Sequence, residues 1–426
     1  MNKTVDPRFS LDRRTFVAGM AAAAGGLALA RPALAQGVSG DVTFATFEWT
    51  MANTGSVLRK VSESFVAANP DVTIREVPLP AAGYHDQILT QLTAGTPPDI
   101  FRIDDAQLPL YIERGYLEPL GPHLEAAGID PSTFVAAGQD ARRDGETFAI
   151  CYQTNARQLV YNKALLANVG IDSPPIDAAQ FEDFAKRATD SSRRVFGSTF
   201  ASKSGDVTGL FISAGPILLG MGSHFTTPEG KPNATDPNIV KAVTLLKSLW
   251  DSNSVPRGID VVASSKLVYD GMVALSLNGS FVFGAATPEV REQLDARPSP
   301  LPGSQIVRVS SWYGIAANSP NKEAAIAWLI HMLSEESQAT IVDIERVVPA
   351  RPELIPERIY TESPWFQSYV DGAIRGMSYL PPGLGSRGLD QVRLIGNTIE
   401  TILYRGVEVE PAMAELQAAM EAEAAA

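Results

Sequence analysis

Acidic and aromatic side chains stand where two predicted strands end. Glu48 and Trp49 follow the first predicted strand, and Asp104 and Asp105 follow the third. A carboxylate can accept hydrogen bonds from two hydroxyls while an indole ring stacks on the C–H face of a sugar, and sugar sites need this mixture. These side chains therefore predict a site for a polyhydroxylated ligand.

Each of these residues also has a purely structural interpretation. Trp49 can be a buried core ring, and the two aspartates can cap a helix by accepting free backbone N–H groups. Tyr84 and His85 follow a loop with proline and glycine, where they can edge a cleft. A lone histidine is more often a surface residue or one satisfied by hydrogen bonds. The sequence leaves these alternatives open.

Two carboxylates that flank a cleft can also perform glycosidase chemistry, and Glu48 with Asp104 or Asp105 would fill that role. The sequence has no G-x-S-x-G, no H-E-x-x-H and no Walker-type loop, and it has four histidines. A metal-ion carrier needs clustered ligands, and the sequence shows none. We therefore expect no enzyme activity, no cofactor and no metal, and a secreted glycoside hydrolase is the alternative from a different class.

Charge and composition exclude several other classes. The chain has 426 residues, is 45% hydrophobic and carries a net charge of −13. An acidic protein has no excess of Lys and Arg to neutralise phosphates, so nucleic acid and an anionic membrane surface are not expected partners. Cys151 is the only cysteine, which excludes an internal disulfide.

The N-terminus is typical of an export signal. Arg13 and Arg14 precede an apolar stretch at 16–30 and the small-residue triplet at 33–35. The apolar stretch is shorter than the roughly 20 residues that a membrane-spanning helix needs. The arginine pair resembles the twin-arginine pattern, with a plain secretory signal as the alternative. We expect 1–35 to be removed and the protein to be periplasmic.

Short strand-like runs alternate with helical periodicity along the whole chain. Strands are predicted at 41–47, 72–79 and 98–103, with a helix between each pair. The same alternation resumes with VFGSTF at 195–200 and a helix at 237–251. Strand–helix–strand order is what a parallel sheet covered by helices requires, so the pattern predicts two α/β lobes.

Three ordered segments carry a more specific pattern. Residues 65–120 have Asn-Pro before the second strand, Pro-Asp before the third and Gly-Tyr-Leu-x-Pro-Leu at the end; residues 144–175 contain Tyr-Asn-Lys, a glycine and paired prolines; residues 312–338 are followed by Val-Val-Pro-Ala-Arg. Together they resemble the extracellular solute-binding proteins of ABC importers, in the branch that includes the maltose-binding protein.

The resemblance implies an α/β fold with two lobes, of the type II periplasmic-binding-protein kind. Each lobe is then a mixed sheet flanked by helices, and the ligand lies in the cleft between lobes. The first lobe is expected to take 38–150 plus 308–348, and the second 151–307 plus 349–426. Such a protein captures a solute and delivers it to membrane permease subunits of an importer, and we expect it to be a monomer.

The resemblance also implies cleft residues in the segment that crosses between lobes and in a glycine-containing turn. Gln153, Asn155 and Arg157 occupy the crossing segment, where many carbohydrate-binding relatives show acidic residues before an arginine. Amides both donate and accept hydrogen bonds, which suits hydroxyls and suits an anionic group better than carboxylates do. The turn is formed by Asn278, Gly279 and Ser280.

The last candidates lie on the return strand and beyond it. Trp312 and Tyr313 are adjacent in a predicted strand, so at most one faces the ligand, and we prefer Trp312. Arg351 either reaches the cleft or forms a salt bridge on a lobe surface. Arg375, Tyr379 and Arg387 lie in a loop rich in glycine and proline that can close over the site.

A neutral mono- or oligosaccharide is the leading ligand class, because aromatic side chains stand beside strand ends. An anionic or phosphorylated sugar or polyol is the rival, because several candidate side chains are arginines.

The export signal gives the first testable prediction. Protein recovered from the periplasm is expected to begin at Gln36, which N-terminal sequencing or intact mass will show. Replacing Arg13 and Arg14 with lysine is expected to block export of the folded protein. Continued export of that double variant would contradict the twin-arginine route and favour a plain secretory signal.

Overall fold

The computed structural model describes residues 37–81, 83–303 and 307–425. The predicted export signal lies outside the described residues. The strands are β1 Gly40–Thr46, β2 Val72–Pro78, β3 Ile100–Asp104, β4 Arg142–Arg143, β5 Glu146–Thr147, β6 Ile150–Ala156, β7 Gln158–Asn162, β8 Leu275–Asn278, β9 Leu294–Arg297, β10 Val307–Ile315, β11 Val348–Pro349 and β12 Met377–Ser378.

Helices fill the spaces between the strands. They are α1 Ala52–Ala68, α2 Tyr84–Ala94, α3 Leu108–Glu113, α4 Gly121–Ala126, α5 Ala136–Asp140, α6 Lys163–Ala167, α7 Ala178–Ala188, α8 Val207–Leu218, α9 Pro237–Asp251, α10 Val261–Tyr269, α11 Phe281–Ala285, α12 Pro288–Gln293, α13 Lys322–Met332, α14 Glu335–Glu345, α15 Glu357–Glu362, α16 Phe366–Arg375, α17 Gly388–Arg405 and α18 Val409–Ala425.

The larger sheet is mixed and has the strand order β11-β6-β10-β3-β1-β2, with β12 paired to β10. β1 pairs in parallel with β2 and β3, as the predicted alternation of strands and helices requires. β10 runs antiparallel to β3 on one edge and to β6 on the other. β10, which comes late in the chain, thus lies between β3 and β6, which come early.

The smaller sheet has the order β8-β7-β9, and its strand pairs are antiparallel. A parallel bridge between Phe196 and Val273 lies outside the named strands. The chain passes from the larger sheet to the smaller one between β6 and β7, where Arg157 is the residue between the two strands. It returns to the larger sheet in the connection from β9 to β10.

Three clusters of buried side chains cover the sheets. Two of them lie against the larger sheet, one containing Trp312 and Phe101, the other Tyr313 and Phe44. The third contains Leu159 and Leu275 of the smaller sheet with residues of α8, α9, α17 and α18. The adjacent rings of Trp312 and Tyr313 thus pack on opposite faces of β10, as the period of a strand predicts.

Local sequence signals explain where several helices begin and end. The helix predicted at 237–251 is α9, and the Asp236 side chain accepts a hydrogen bond from the Asn238 backbone at its start. Gly95 ends α2 with φ of 73°, a left-handed conformation that glycine adopts without strain.

The segment 195–200 departs from its predicted strand. Only isolated bridges at Val195 and Phe196 occur there among the described residues. The backbone pairs beside β8 only briefly, because Phe196 and Gly197 accept hydrogen bonds of 2.9 and 3.0 Å from Ala274 and Leu275, whereas Ser198 donates to the Ser254 carbonyl at 2.9 Å. The segment also packs closely on α7, where a Cβ atom added to Gly197 would lie 1.7 Å from the Ala185 carbonyl oxygen.

The described residues form a seven-stranded sheet, a three-stranded sheet and the two-stranded pair of β4 and β5. This α/β architecture, in which the chain crosses between the two larger sheets, confirms the predicted fold class. The lobe boundaries drawn from the sequence remain a prediction. Within the described ranges, no helix is both long enough and apolar enough to cross a membrane.

The packing at Gly197 gives a stability prediction. Gly197→Ala is expected to lower the free energy of unfolding by at least about 3 kcal/mol, because the new methyl group meets a helix backbone that cannot move freely. Urea unfolding of the purified protein measures this loss.

Gly388→Ala is the matched control. Gly388 has φ of −56° at the start of α17, and an added Cβ would meet no atom closer than 4.0 Å. This variant is expected to change stability by less than about 1 kcal/mol. Equal losses in the two variants would contradict the proposed close contact at Gly197.

Candidate functional site

A cavity of about 260 Å³ lies where the end of β3, the middle of β10 and the segment around β12 meet. This volume approaches the roughly 300 Å³ at which ligand pockets of proteins begin. The lining combines parts of the chain that are far apart in sequence: Asp105, Leu108, Pro109, Asp140, Trp312, Met377, Ser378, Leu380, Pro381, Pro382 and Gly385. Two predicted site residues, Asp105 and Trp312, thus share one cavity.

Asp105 presents a nearly neutral carboxyl group to this cavity. Its Oδ2 atom accepts a hydrogen bond of 2.8 Å from the Ser310 backbone, and its Oδ1 atom lies 3.9 Å from the Arg308 guanidinium. Burial raises the pKa of Asp105 to about 8, and the positive charge of Arg308 opposes this rise only partly. Oδ1 has no hydrogen-bond partner among the described residues.

Trp312 supplies the complementary group. Its ring is fully buried, yet the indole Nε1 finds no acceptor within the described part of the chain. A buried indole N–H usually has a partner, because leaving it unpaired costs free energy. Two residues of the cavity lining therefore carry one unpaired donor and one unpaired oxygen, a combination that suits a hydroxyl group, which can both accept and donate.

Asp140 lines the cavity and pairs with Arg308, and neither residue was predicted from the sequence. The Arg308 side chain is 3% exposed and bonds Asp140 Oδ2 at 2.6 Å and the Gly376 carbonyl at 3.0 Å. It therefore joins β10 to α5 and to the residue before β12. Arg308 could have been found from the sequence, because it is the one charged residue in the strand VRVSSWYGI, whose other residues are apolar, aromatic or small. No local pattern marks Asp140 as its partner.

A second polar group, called the crossover cluster here, contains Gln153, Asn155, Arg157, Asn278 and Ser280. The Asn155 amide donates to the Gln153 Oε1 at 3.2 Å, and Arg157 Nη1 donates to Asn278 Oδ1 at 2.9 Å. An unpaired atom remains on each of Asn155, Arg157 and Ser280 among the residues described. The structure thus brings together two segments that the sequence proposed separately.

Gly279 allows these two segments to approach. A Cβ atom added there would lie 2.9 Å from Asn155 Oδ1 and 2.8 Å from the Phe281 ring. Only a glycine fits at this turn without moving those side chains.

The cavity and the crossover cluster are electrostatically coupled. Burial lowers the pKa of Arg157 to about 10, and the charges of Tyr369 and Asp105 oppose this change. Tyr369 also donates a hydrogen bond of 3.2 Å to the Asn278 carbonyl. Asp105 of the cavity therefore lies within electrostatic range of the cluster.

Glu48 and Asp104 are placed in an internal network instead. Glu48 pairs with Arg102 and accepts a hydrogen bond of 2.6 Å from the Tyr313 hydroxyl. Asp104 bonds Arg102 at 2.5 Å and His85 at 2.7 Å. Burial alone would raise the pKa of Asp104, but Arg102 and His85 hold it well below its usual value. Both carboxylates are thus committed to partners inside the protein.

Tyr84 belongs to the same region. Its hydroxyl donates to the Ala45 carbonyl at 2.9 Å and accepts from the Arg102 backbone at 2.9 Å. The side chain is buried, and these bonds fasten α2 to β1 and β3.

Trp49 and Arg351 stand away from the cavity lining. Trp49 is 2% exposed, its indole donates to the Phe44 carbonyl at 2.8 Å, and its ring meets the Phe44 ring edge-on. Arg351 forms a salt bridge of 2.9 Å with Glu353. Trp49 therefore has the contacts of a buried core ring, which was the alternative to a role in the cleft. Arg351 forms a salt bridge, which was the alternative for that residue.

The loop rich in glycine and proline reaches the cavity through residues other than those first singled out. Met377, Ser378 and Leu380 line it, whereas Tyr379 is buried. Arg387 lines a different depression beside α17 and α18. Within the described ranges, no group of three or more His, Cys, Asp or Glu side chains is arranged to hold a metal ion.

Comparison with known proteins agrees with this architecture. A family model described as "Bacterial extracellular solute-binding protein" matches residues 60–371. A Brucella abortus (strain 2308) protein named "Putative binding protein BAB2_0491" is 24% identical over 354 residues, which cover 80% of this chain and 82% of that protein.

Two solved structures share the fold at low sequence identity. The ABC substrate-binding protein Lmo0181 from Listeria monocytogenes, in complex with cycloalternan, has a TM-score of 0.76 and 20% identity, covering 91% of this chain and 99% of that one. An ABC transporter solute-binding protein from Thermotoga lettingae, bound with alpha-D-tagatose, has a TM-score of 0.78 and 19% identity, covering 90% and 99%.

The pKa of Asp105 gives a prediction of pH dependence. Because folding raises this pKa from 3.8 to about 8, the folded chain holds a proton that the unfolded chain releases, and stability falls as pH rises through that window. Asp105→Asn removes the titrating group and keeps an oxygen for the Ser310 N–H. Urea unfolding at about pH 5 and about pH 8 is expected to show a smaller loss of stability in the variant.

Asp390→Asn is the control, because the Asp390 side chain is 70% exposed. It is expected to follow the pH dependence of the parent protein. If Asp105→Asn also follows the parent protein, Asp105 does not titrate in this window and the assignment of a neutral carboxyl group is wrong.

Proposed function

The chain belongs to the family of bacterial extracellular solute-binding proteins, and on that premise we propose that it is the carbohydrate-binding component of an ABC import system. The observation that carries this proposal is the cavity lined by both Asp105 and Trp312, two side chains that carry an unpaired buried oxygen and an unpaired buried N–H among the described residues. Sugars present hydroxyls that satisfy both groups at once.

Two further observations support a carbohydrate. The similar structures from Listeria monocytogenes and Thermotoga lettingae hold cycloalternan and tagatose, respectively. The crossover cluster adds amide and hydroxyl groups, which exchange hydrogen bonds with sugar hydroxyls in either direction.

The proposed mechanism is capture by closure. The lobes, with the boundaries 38–150 plus 308–348 and 151–307 plus 349–426, rotate about the segments that cross between the two sheets. The ligand bridges residues of both lobes, so it binds the closed form more tightly than the open form and shifts the population toward closure. Membrane permease subunits then recognise the closed form, which is delivered as a periplasmic monomer.

The proposal excludes catalysis as the main role. Two of the three carboxyl groups considered for a glycoside hydrolase, Glu48 and Asp104, are held by Arg102 and by neighbouring hydroxyl and imidazole groups. Arg102 and His85 keep the pKa of Asp104 low, which makes it a poor proton donor. Asp105 is then left without Glu48 as a free partner carboxylate. We therefore propose a binding protein and not an enzyme.

A panel of neutral and acidic sugars tests this function. A ligand that binds only the folded protein raises the temperature at which the protein unfolds. We expect a thermal-shift assay to identify at least one binder among glucose, galactose, maltose, glucuronate and galacturonate. Trp312→Phe removes the N–H donor and is expected to weaken that binder about tenfold in calorimetric titration, the cost of about one hydrogen bond.

Trp328→Phe is the matched control. The Trp328 indole donates to the Ser62 hydroxyl in the core on the other face of the larger sheet. This variant is expected to lose stability and to keep its affinity within about twofold. If no sugar of the panel raises the unfolding midpoint of the parent protein, the carbohydrate assignment is wrong.

A further inference from the structure

Arg157 is the residue through which the chain passes from β6 of the larger sheet to β7 of the smaller one. The side chain is partly exposed, but its Nε atom is buried, and the loss of solvation lowers the pKa of Arg157 to about 10. Its side-chain hydrogen bond goes to a neutral acceptor, the Asn278 amide oxygen at 2.9 Å. Its buried Nε atom donates to nothing in the described part of the chain.

Two other arginines near the site are paired with carboxylates. Arg102 bonds Glu48 and Asp104, and Arg308 bonds Asp140 and approaches Asp105. Among the described residues, no Asp or Glu oxygen lies within 4 Å of the Arg157 guanidinium. A partly buried cation without an anionic partner loses solvation that no ion pair replaces, so we expect Arg157 to cost stability in the free protein.

The surroundings of Arg157 suit an anion that also carries hydroxyls. Ser280 has a buried hydroxyl and Asn155 a buried amide oxygen, and each lacks a partner in the residues described. The hydroxyl can donate to a second oxygen of an anionic group, while the amide oxygen accepts from a ligand hydroxyl. The Asp105 carboxyl is the nearby acid, but it is engaged with Ser310 and Arg308.

We propose that the ligand is a carbohydrate or polyol bearing an anionic oxygen group, a carboxylate or a phosphate, which pairs with Arg157 and Ser280 in the crossover cluster. Its hydroxylated part then extends to the cavity of Asp105 and Trp312. This inference rests on the proposed function and adds the charge of the ligand. It selects the anionic class over the neutral one that the sequence favoured.

The physical reason is that the ligand completes an ion pair at a place already shielded from water. Hydrogen bonds between a guanidinium and an anionic oxygen are about twice as strong as neutral ones. Because Arg157 lies between the two sheets, an anion bound there contacts the segment about which the lobes are proposed to rotate. Binding of charge and closure of the lobes are thereby coupled.

Calorimetric titration of the mature protein with matched pairs tests the charge of the ligand. The pairs are glucuronate with glucose, galacturonate with galactose, and glycerol 3-phosphate with glycerol. At least one anionic member is expected to bind at least tenfold more tightly than its neutral counterpart. Preference for a sugar acid over its neutral sugar indicates a carboxylate ligand, and preference for glycerol 3-phosphate over glycerol indicates a phosphate ligand.

Two substitutions at Arg157 test its role. Arg157→Met is expected to weaken the anionic ligand on the order of 100-fold, because the anion then lies buried without its partner. Arg157→Lys is expected to recover part of the affinity, since it keeps the charge but not the planar fork. In the free protein, Arg157→Met is expected to leave the unfolding midpoint unchanged or to raise it.

Arg393→Met is the control, because the Arg393 side chain is 56% exposed on α17 and pairs with Asp390. It removes the same charge and is expected to leave the affinity unchanged.

Three results would overturn the inference. If neutral members bind as tightly as anionic ones, the inference fails while the carbohydrate function stands. If no member of any pair binds, the inference fails, and the carbohydrate function fails with it when maltose does not bind either. If Arg157→Met lowers the midpoint of the free protein by several degrees and the anionic preference survives, Arg157 serves only to hold the Asn278 turn.

Discussion

β10 holds the molecule together because it forms hydrogen bonds on both edges, to β3 and to β6. Those partners precede it in the chain by about 150 to 200 residues, so the strand closes a very long loop. The pairing fixes which way each of its side chains points. Trp312 then faces the cavity and Tyr313 faces the core that contains Phe44. A slip of one residue would exchange these two roles.

Buried charge is handled in two ways around this strand. On one face, Glu48, Arg102, Asp104 and His85 form a continuous chain of ion pairs and hydrogen bonds. Every charged group in that chain has an opposite charge beside it, which is typical of a structural role. Near the crossing between sheets, Asp105 and Arg157 are only partly compensated. Groups of this kind are costly to keep, which is why perturbed ionisable groups concentrate at binding sites.

The position of the site follows from the way the sheets are connected. β3 ends at Asp104, β8 ends at Asn278, and β6 leads into Arg157, so three segments deliver polar side chains to one region. Strand ends expose side chains and backbone that are not needed for the sheet itself, and ligands of α/β folds commonly bind there. Arg157 belongs both to this region and to the connection from β6 to β7, so the proposed site lies beside a crossing between the two sheets.

Features that depend on neighbours in sequence could be predicted from the sequence alone. The bounds of α9, the left-handed cap at Gly95 and the opposite directions of Trp312 and Tyr313 follow from periodicity and local hydrogen bonds. The family could be recognised because such signals occur in a fixed order along the chain. The different roles of the neighbouring residues Asp104 and Asp105 could not be predicted in this way.

Asp104 and Asp105 look alike in the sequence, yet one bonds Arg102 and His85 while the other faces a cavity with Trp312. Trp49 follows β1 and bonds the Phe44 carbonyl, whereas Trp312 in β10 lines the cavity, and the sequence offered both as candidates for the site. The chain alone determined which elements form, because the forces that form them act over a few residues. The tertiary structure decided which polar atoms remain unpaired, because the groups around a site such as that of Asp105 include residues far along the chain, among them Ser310.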